Sequence, residues 1–290
     1  MGLVDNIKKN ATSNGTKIQD SQASKLEKIF NKMFYLEKDA EKEPAFVKQM
    51  VTRGLESQER IGLHASAMIV SDNKFCVRQQ VLSLIYRQRQ GEQTAIGLKR
   101  IFEEGNAIHE KWQRMFLRAG YSEVNELDYT QFDDDYELSF TPDILCFIPE
   151  FFEGKMVGEI KSVNTFQFKH MTSHPSGRKQ MQLYMHEMIK KEKGNGTWNG
   201  KDWTKGFVLC DDKNTQDFKV FVYDYEPKEV APFVERLDAV KFYKERVYEE
   251  HKMVKRSDDC KKSTCKRAEE CPMRDACWNV GMGKAKINED

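Results

Sequence analysis

Two apolar runs of strand-forming residues carry three charged side chains, and this combination most constrains how the chain can fold. Residues 139–148 contain Asp143 after a proline, and residues 156–163 contain Glu159 and Lys161. Apolar runs of this length predict strands of a packed sheet. Because side chains alternate between the two faces of a strand, Glu159 and Lys161 lie on the same face.

Two carboxylates and an ammonium group that converge would suit chemistry with a divalent cation. Mg²⁺ or Mn²⁺ takes oxygen ligands, retains several waters and can activate water for attack on a phosphodiester. Lys161 is placed to orient that water or to stabilise the charge that develops on phosphorus. The alternative is that Glu159 and Lys161 are paired charges on a solvated strand face.

Two predicted helices contribute further polar candidates. Residues 102–116 place His109 beside an apolar stripe with helical spacing. Residues 178–188 place Gln180 and Tyr184 four positions apart, on one face of a Met-rich helix. A lone histidine beside such a stripe, or Met and Tyr at this spacing, is usually part of a core, so neither helix alone indicates a site.

Taken together and in this order, the motifs resemble the RecB-like branch of the PD-(D/E)XK nuclease superfamily, particularly its iron-sulfur-cluster exonucleases of the CRISPR-associated and helicase-fused types. The motifs are Gly105-x3-His109-Glu110, Pro142-Asp143, Glu159-x-Lys161 and Gln180-x3-Tyr184. The resemblance implies an α/β fold, a restriction-endonuclease-like core with a mixed central sheet flanked by helices.

The resemblance also implies roles for single residues. The ligands of a catalytic Mg²⁺ or Mn²⁺ would be His109, Asp143, Glu159 and the main-chain carbonyl of Ile160, with Lys161 catalytic and Gln180 and Tyr184 positioning the DNA. The implied activity is a deoxyribonuclease, an exonuclease or end-processing enzyme of repair, recombination or replication. Its partners would be single-stranded DNA or duplex ends, and other replication or recombination proteins. The alternative is a catalytically inactive nucleic-acid-binding or assembly module on the same fold, and the intact charged triad favours the enzyme.

The cysteines indicate a second, separate metal centre. Cys260, Cys265, Cys271 and Cys277 cluster near the C-terminus, and Cys76 lies far upstream. The chain does not open on a signal-peptide apolar region, which argues against a secreted disulfide scaffold and favours metal ligation. Four neighbouring thiolates would satisfy a closed tetrahedral zinc site.

The family resemblance favours a 4Fe-4S cluster over Zn²⁺. In the iron-sulfur nucleases one cysteine precedes the core in a Cys-x-Arg context and three follow it. Cys76 with Arg78 matches the first part, and residues 271–277 match the final pair. Whether Cys260 or Cys265 is the remaining ligand stays open, as does a structural Zn²⁺ site formed by tail cysteines alone. The cluster would attach the C-terminal tail to the segment around Cys76.

The predicted organisation has three parts: a polar and helical arm at residues 1–60, a nuclease domain at 61–251, and a Cys-rich metal-binding tail at 252–290 that packs with the Cys76 segment. A 290-residue chain that is 39% hydrophobic can bury the core of one such domain. The net charge of +1 does not announce a nucleic-acid partner, but a local basic groove is sufficient for one. No run approaches the length of a transmembrane helix, so a soluble cytoplasmic or nucleoid-associated protein is expected.

Periodicity and turn residues predict the remaining elements. Helices are predicted at residues 23–36, 43–55, after Cys76 through Tyr86, and from Pro227 to about His251; strands at 205–212 and 218–225; a linker around Gly91 and Gly97. Candidate basic stretches are residues 87–100, 169–179 and 252–267. Any of these stretches is equally consistent with a solvated face.

Overall fold

A computed structural model describes residues 21–55, 62–86, 96–278 and 288–289. Its helices are α1 (21–33), α2 (Glu43–Leu55), α3 (Ala65–Met68), α4 (Val77–Tyr86), α5 (Ile96–Arg118), α6 (Thr165–His170), α7 (Pro175–Gly194), α8 (Pro227–Glu250), α9 (Lys266–Glu269) and α10 (Arg274–Trp278). Its strands are β1 (Leu63–His64), β2 (Gln131–Asp133), β3 (Leu138–Phe140), β4 (Ile144–Phe147), β5 (Lys155–Val163), β6 (Lys205–Asp212), β7 (Phe218–Asp224), β8 (Lys252–Met253) and β9 (Asn288–Glu289). Short 3₁₀ turns occupy Ala40–Lys42 and Val124–Glu126.

The described residues form two compact units. The first comprises residues 21–55, 96–130 and 141–227. The second comprises residues 62–86, 131–140, 228–278 and 288–289. Both units are built from discontinuous segments of the chain. Compactness does not test the predicted functional boundaries at residues 60 and 251, which remain predictions.

The first unit contains a four-stranded sheet in the order β4-β5-β6-β7. β5 and β6 run parallel, whereas β4 pairs with β5 and β6 pairs with β7 in antiparallel fashion. The sheet is therefore mixed, and helices α5 and α7 pack against it. The predicted α/β class with a mixed sheet flanked by helices is confirmed at this level of detail.

The two faces of this sheet pack against different helices. On one face Ile160 and Phe207 join a core with Phe30 of α1 and Phe116 of α5, and the rings of Phe116 and Phe207 are stacked with centroids 5.8 Å apart. Because side chains alternate along β5, Glu159 and Lys161 lie on the other face. α7 covers that face, and it is the face on which the candidate site forms.

At Gly158, the residue directly before Glu159, the backbone passes close to an aromatic ring of this core. A Cβ at position 158 would stand 2.4 Å from the Phe207 ring, which is fully buried and stacked on Phe116. We expect Gly158→Ala to lower the free energy of unfolding by about 1–3 kcal/mol, because the packed ring cannot move aside. Thermal denaturation measures this, and an unchanged melting temperature would contradict the packing described.

The second unit contains a small sheet in the order β1-β3-β2 and the paired strands β8 and β9. β3 pairs parallel with β1 and antiparallel with β2. α4 and α10 pack together, which brings the chain around Cys76 next to the Cys-rich segment. No helix in the described part of the chain is both long and apolar enough to cross a membrane.

Most predicted elements are confirmed. The structure has the predicted helix at residues 43–55, the helix from Val77 through Tyr86, and the strand at residues 205–212. The helix predicted at residues 23–36 ends at residue 33, where a turn begins. β7 and α8 each end one residue before their predicted ends.

Two predictions of local structure are wrong. Gly97 lies inside α5 and not in a linker, while Gly91 lies outside the described residues. The run at residues 139–148 is not one strand, because β3 ends at Phe140 and β4 begins at Ile144. Pro142 has no N–H to donate to a ladder, so the run breaks there and Asp143 stands just before β4.

Candidate functional site

Asp143 is held rigidly between the break at Pro142 and the start of β4. Its main-chain carbonyl accepts hydrogen bonds from the Gln113 side chain at 2.9 Å and from the Asp128 amide at 3.2 Å. Its carboxylate Oδ2 accepts from the Ile160 amide at 2.7 Å. The other oxygen, Oδ1, lies 3.2 Å from Nδ1 of His109. The carboxylate of Asp143 therefore faces β5 and α5 together.

Glu159 is buried in the middle of β5, with an exposed fraction of 1%. Its Oε1 accepts a hydrogen bond from the Lys161 ammonium group. Its Oε2 is also buried and has no hydrogen-bond partner among the described residues. The interpretation of Glu159 and Lys161 as a solvated strand face is therefore wrong. A buried carboxylate oxygen without a partner is costly unless something else binds it.

Burial and charge push the pKa values of the two carboxyl groups in opposite directions. Burial raises the pKa of Glu159 to about 8, and the nearby negative charge of Asp143 adds to the effect. Burial would also raise the pKa of Asp143, but the charges of His109 and Lys161 and the amide of Ile160 hold it below its ordinary value. The two carboxyl groups therefore differ: Asp143 is held in its charged form, whereas burial beside Asp143 favours the neutral form of Glu159.

His109 is brought to the site by α5, where the sequence predicted a helix. Burial would lower the pKa of its imidazole, but the charges of Asp143 and Glu159 outweigh burial and raise it. For Lys161, the same two carboxylates outweigh burial and raise the pKa of the ammonium group. His109 and Lys161 thus act as counter-charges to the acidic pair.

A polar chain runs from Lys161 onto α7. The Lys161 ammonium group donates to Oε1 of Gln180 at 3.2 Å, and Nε2 of Gln180 donates to the Tyr184 hydroxyl at 2.7 Å. The same hydroxyl accepts from the main-chain amide of Thr141. Burial, with the charge of Glu159, raises the pKa of Tyr184 far above its ordinary value, so the phenol is neutral. Gln180 and Tyr184 therefore reach the site as a connected pair.

The structure brings the predicted residues of the first site into one cluster: His109, Asp143, Glu159, Lys161, Gln180 and Tyr184 are linked by contacts or charges. Ile160 contributes its amide to Asp143, and its side chain is buried in the core. As the side chains stand, no group of three or more His, Cys, Asp or Glu residues within the described ranges is arranged to hold a metal ion. Lys161 occupies one oxygen of Glu159, and His109 occupies one of Asp143.

His174 is a neighbour of the site that the sequence did not single out. It caps the N-terminus of α7 by accepting a hydrogen bond from the Gly177 amide on Nδ1 at 3.0 Å. Burial, and next the positive charge of Lys161, lower its pKa, which shows that the two side chains are close. The signal that could have found it is a histidine directly before Pro175, since proline favours the first helical position.

The second unit contains a cleft of about 520 Å³ near α4 and α10. We call it the cysteine cleft, because four of the predicted ligands line it: Cys76, Cys260, Cys271 and Cys277. Arg78 donates from Nε to the sulfur of Cys277 at 3.2 Å. The remaining lining side chains include more cations than acids.

Cys265, the fifth predicted ligand, does not line the cysteine cleft. It precedes α9, and its Sγ lies 3.6 Å from the carbonyl oxygen of Asp259. The amide of Ala268 lowers its pKa, whereas burial raises the pKa of Cys271 to about 11 and the neighbouring thiols of the cleft add to that. The two apolar-strand cysteines, Cys146 and Cys210, are buried in the first unit.

No protein-family model matches this chain, and no curated protein matches its sequence. Solved structures to which it is similar include SSO0001, with 10% identity and a TM-score of 0.39 over 69% of this chain and 85% of that one. They also include the alkaline exonuclease LHK-Exo from Laribacter hongkongensis, with 16% identity and a TM-score of 0.36 over 65% and 94% of the two chains. LHK-Exo in complex with dAMP gives 13% identity and a TM-score of 0.42 over 66% and 92%. At these values, the function of this chain has to be inferred from its own side chains.

Proposed function

We propose that this protein is a divalent-metal-dependent deoxyribonuclease of the RecB-like PD-(D/E)XK type, acting on DNA ends in the cytoplasm. The observation that carries the proposal is the buried cluster of Asp143, Glu159 and Lys161, completed by His109 from α5. Here Oε2 of Glu159 is left without a partner among the described residues, as expected of a ligand position.

The donor set fits a hard divalent cation. Asp143 and Glu159 supply carboxylate oxygens, and His109 supplies an imidazole nitrogen, on three different elements of one unit. Mg²⁺ prefers oxygen ligands and usually binds only one or two carboxylates of a protein, whereas Mn²⁺ also accepts an imidazole nitrogen. When bound, such an ion supplies Lewis acidity for phosphodiester hydrolysis. Lys161 contacts only Oε1 of Glu159, so Oε2 of Glu159 would be the oxygen available to such an ion.

The protein's own residues then have distinct tasks. The Lys161 ammonium group stabilises the negative charge that develops on the phosphoryl oxygens. Gln180 keeps that ammonium group within reach of the scissile phosphate, and the neutral phenol of Tyr184 fixes the orientation of the Gln180 amide. The Ile160 amide holds Asp143 in place, so its carboxylate can act without rearranging.

The proposal is tested by incubating the purified full chain with end-labelled single-stranded and duplex DNA. We expect degradation with Mg²⁺ or Mn²⁺ and none after chelation by EDTA. Circular substrates without ends distinguish exonuclease from endonuclease action. DNA binding without cleavage under any divalent metal would instead indicate an inactive binding module.

We expect His109→Ala to weaken metal affinity by roughly tenfold or more, because it removes one donor while leaving the carboxylates in place. The concentration of Mg²⁺ that gives half-maximal cleavage should rise, and excess Mn²⁺ should partly restore the rate. Calorimetric titration with Mn²⁺ measures the affinity directly. A variant that is less stable but binds Mn²⁺ as tightly as the wild type would make His109 a packing residue only.

We further propose that the cysteine cleft holds a 4Fe-4S cluster through Cys76, Cys260, Cys271 and Cys277, with a structural Zn²⁺ ion as the alternative. Burial raises the pKa of Cys271 and the neighbouring thiols of Cys76, Cys260 and Cys277 add to this, so the four sulfurs lie near one another in a cleft that is lined with cations. A metal centre would relieve that crowding, since it binds the deprotonated sulfurs. The hydrogen bond from Arg78 to Cys277 suits a thiolate ligand.

A further inference from the structure

The segment that joins β5, the proposed catalytic strand, to α7 exposes an aromatic ring to solvent. Phe166, in α6, has an exposed fraction of 76%. It lies five residues after Lys161, and five residues of extended chain span at most about 18 Å. Single exposed aromatic side chains are common and need no explanation by themselves. Three features of its surroundings make Phe166 different.

The first is that hydrogen bonds hold α6 in place. Asn164 caps its N-terminus. Thr165 donates from Oγ1 to the buried carboxylate of Asp212 at 2.9 Å. Lys219 donates to the carbonyl oxygen of Phe168 at 2.6 Å and lies over the ring of Phe168, which is buried. Phe166 is therefore presented on a fixed support, which keeps the entropic cost of binding low.

The second feature is that the segment borders the proposed active site at both ends. It begins after Lys161 on β5, and Gln180 on α7 contacts Lys161 again through a hydrogen bond of 3.2 Å. Phe166 lies between these two points in the sequence. A strand whose phosphate is held at Lys161 would therefore have its neighbouring nucleotides within reach of the ring.

The third feature is charge. Residues 164–180 contain no Asp or Glu, but they contain Lys169, Arg178 and Lys179 in addition to two histidines. Lys169 and Lys179 are exposed. The ring of His170 meets the Phe166 ring edge-on, with centroids 5.1 Å apart and planes at 60°. An exposed aromatic ring in a segment that contains cations and no acids matches the two parts of a nucleotide, the base and the phosphate.

We infer that Phe166, with His170 against its ring, is a stacking platform for an unpaired base of the DNA strand that enters the site. Bases stack on an aromatic side chain only when they have left the duplex, so the platform favours single-stranded ends over intact duplex. The inference rests on the proposed nuclease function for the location of the scissile phosphate. Phe166 is a positioning residue and does not touch the reacting atoms.

The test measures binding without cleavage, in EDTA, to a single-stranded oligonucleotide that carries 2-aminopurine, whose fluorescence falls when it stacks. We expect Phe166→Ala to lose affinity by on the order of tenfold and to abolish the quenching. Phe166→Leu should behave in the same way, because it keeps an apolar side chain without an aromatic face. Phe166→Trp should retain both properties, and Phe147→Ala, an exposed aromatic position on β4, is the matched control.

Each outcome separates this inference from the proposed function. If Phe166→Ala and Phe166→Leu bind the oligonucleotide as the wild type does, the platform is wrong, even if the wild type degrades DNA with Mg²⁺. If Phe166→Leu keeps wild-type affinity and Phe166→Ala loses it, position 166 needs only an apolar side chain. The proposal that a base stacks on the ring is then also wrong. Loss of affinity in both variants, with rescue by Phe166→Trp, supports the platform even if the wild type cleaves no DNA. Melting temperatures should be unchanged, since the ring is exposed.

Discussion

Lys161→Ala should lower the rate of DNA cleavage by on the order of 10²–10³-fold at saturating Mg²⁺. The expected loss is this large because the ammonium group opposes charge that exists only in the transition state, inside a buried site. The rate constant is measured with a labelled oligonucleotide in single-turnover conditions. Binding of the same oligonucleotide in EDTA should change far less than the rate does.

Glu159→Gln and Asp143→Asn should remove cleavage as well, while the protein stays folded. Isosteric changes are preferable to alanine here, because both carboxylates are buried and Ala would leave a cavity or an unpaired charge beside Lys161. Gln also matches the neutral form that the raised pKa of Glu159 already favours. Circular dichroism and thermal denaturation confirm folding.

The matched control for Lys161 is Lys155, which lies on the same strand and the same face, six residues earlier. Lys155 pairs with Glu126 at 3.5 Å and lies over the ring of Trp203, away from Asp143 and Glu159. Lys155→Ala should cleave DNA at nearly the wild-type rate. Equal rates for Lys161→Ala and the wild type would show that the catalytic assignment of Lys161 is wrong.

The strands and helices that carry the site could be predicted because their signals are local. The apolar run at residues 156–163 gave β5 to within one residue, and alternation along it placed Glu159 and Lys161 on one face. Gln180 and Tyr184 share a face because helical geometry puts residues four apart together. Periodicity alone determines such relations, so they do not depend on how distant parts of the chain pack.

Other properties of the site depend on packing between segments that are far apart in the chain, which local sequence patterns do not determine. A solvated strand face was one interpretation of Glu159 and Lys161, yet α7 and the sheet bury Glu159. The approach of His174 to Lys161 depends on how the segment before α7 returns to β5. The order of strands in the sheet, and the contact between α4 and α10, likewise arise from pairings across long stretches of chain.

The remaining ambiguity among the cysteines shows the same limit. Spacing could not separate Cys260 from Cys265, because only four residues lie between them and both precede the final pair. In the folded chain Cys260 lines the cysteine cleft with Cys76, whereas Cys265 does not. The sequence therefore predicts five candidate ligands, and three-dimensional placement is needed to propose which four of them act.

The Cys76→Ser variant, purified anaerobically, should lose most of its iron and most of its visible absorbance. It should also lower the melting temperature, because a bound cluster stabilises only the folded state in which the segment near α4 and the tail meet. Cys260→Ser should behave in the same way. Cys265→Ser is the comparison variant, since its thiol does not line the cysteine cleft although it lies against that of Cys260, and it should retain most of its iron and sulfide.

Metal analysis of these three variants separates the competing assignments. If Cys265→Ser loses the cluster and Cys260→Ser keeps it, the choice of the fourth ligand is wrong, although the cluster itself stands. A colourless wild-type protein that contains one Zn²⁺ and keeps it in Cys76→Ser would overturn the cluster and favour a site formed by the four tail cysteines. Neither result would affect the proposed nuclease activity, because the phosphodiester chemistry that we propose depends on Asp143 and Glu159, which lie in the other unit and would bind a hard cation through oxygen.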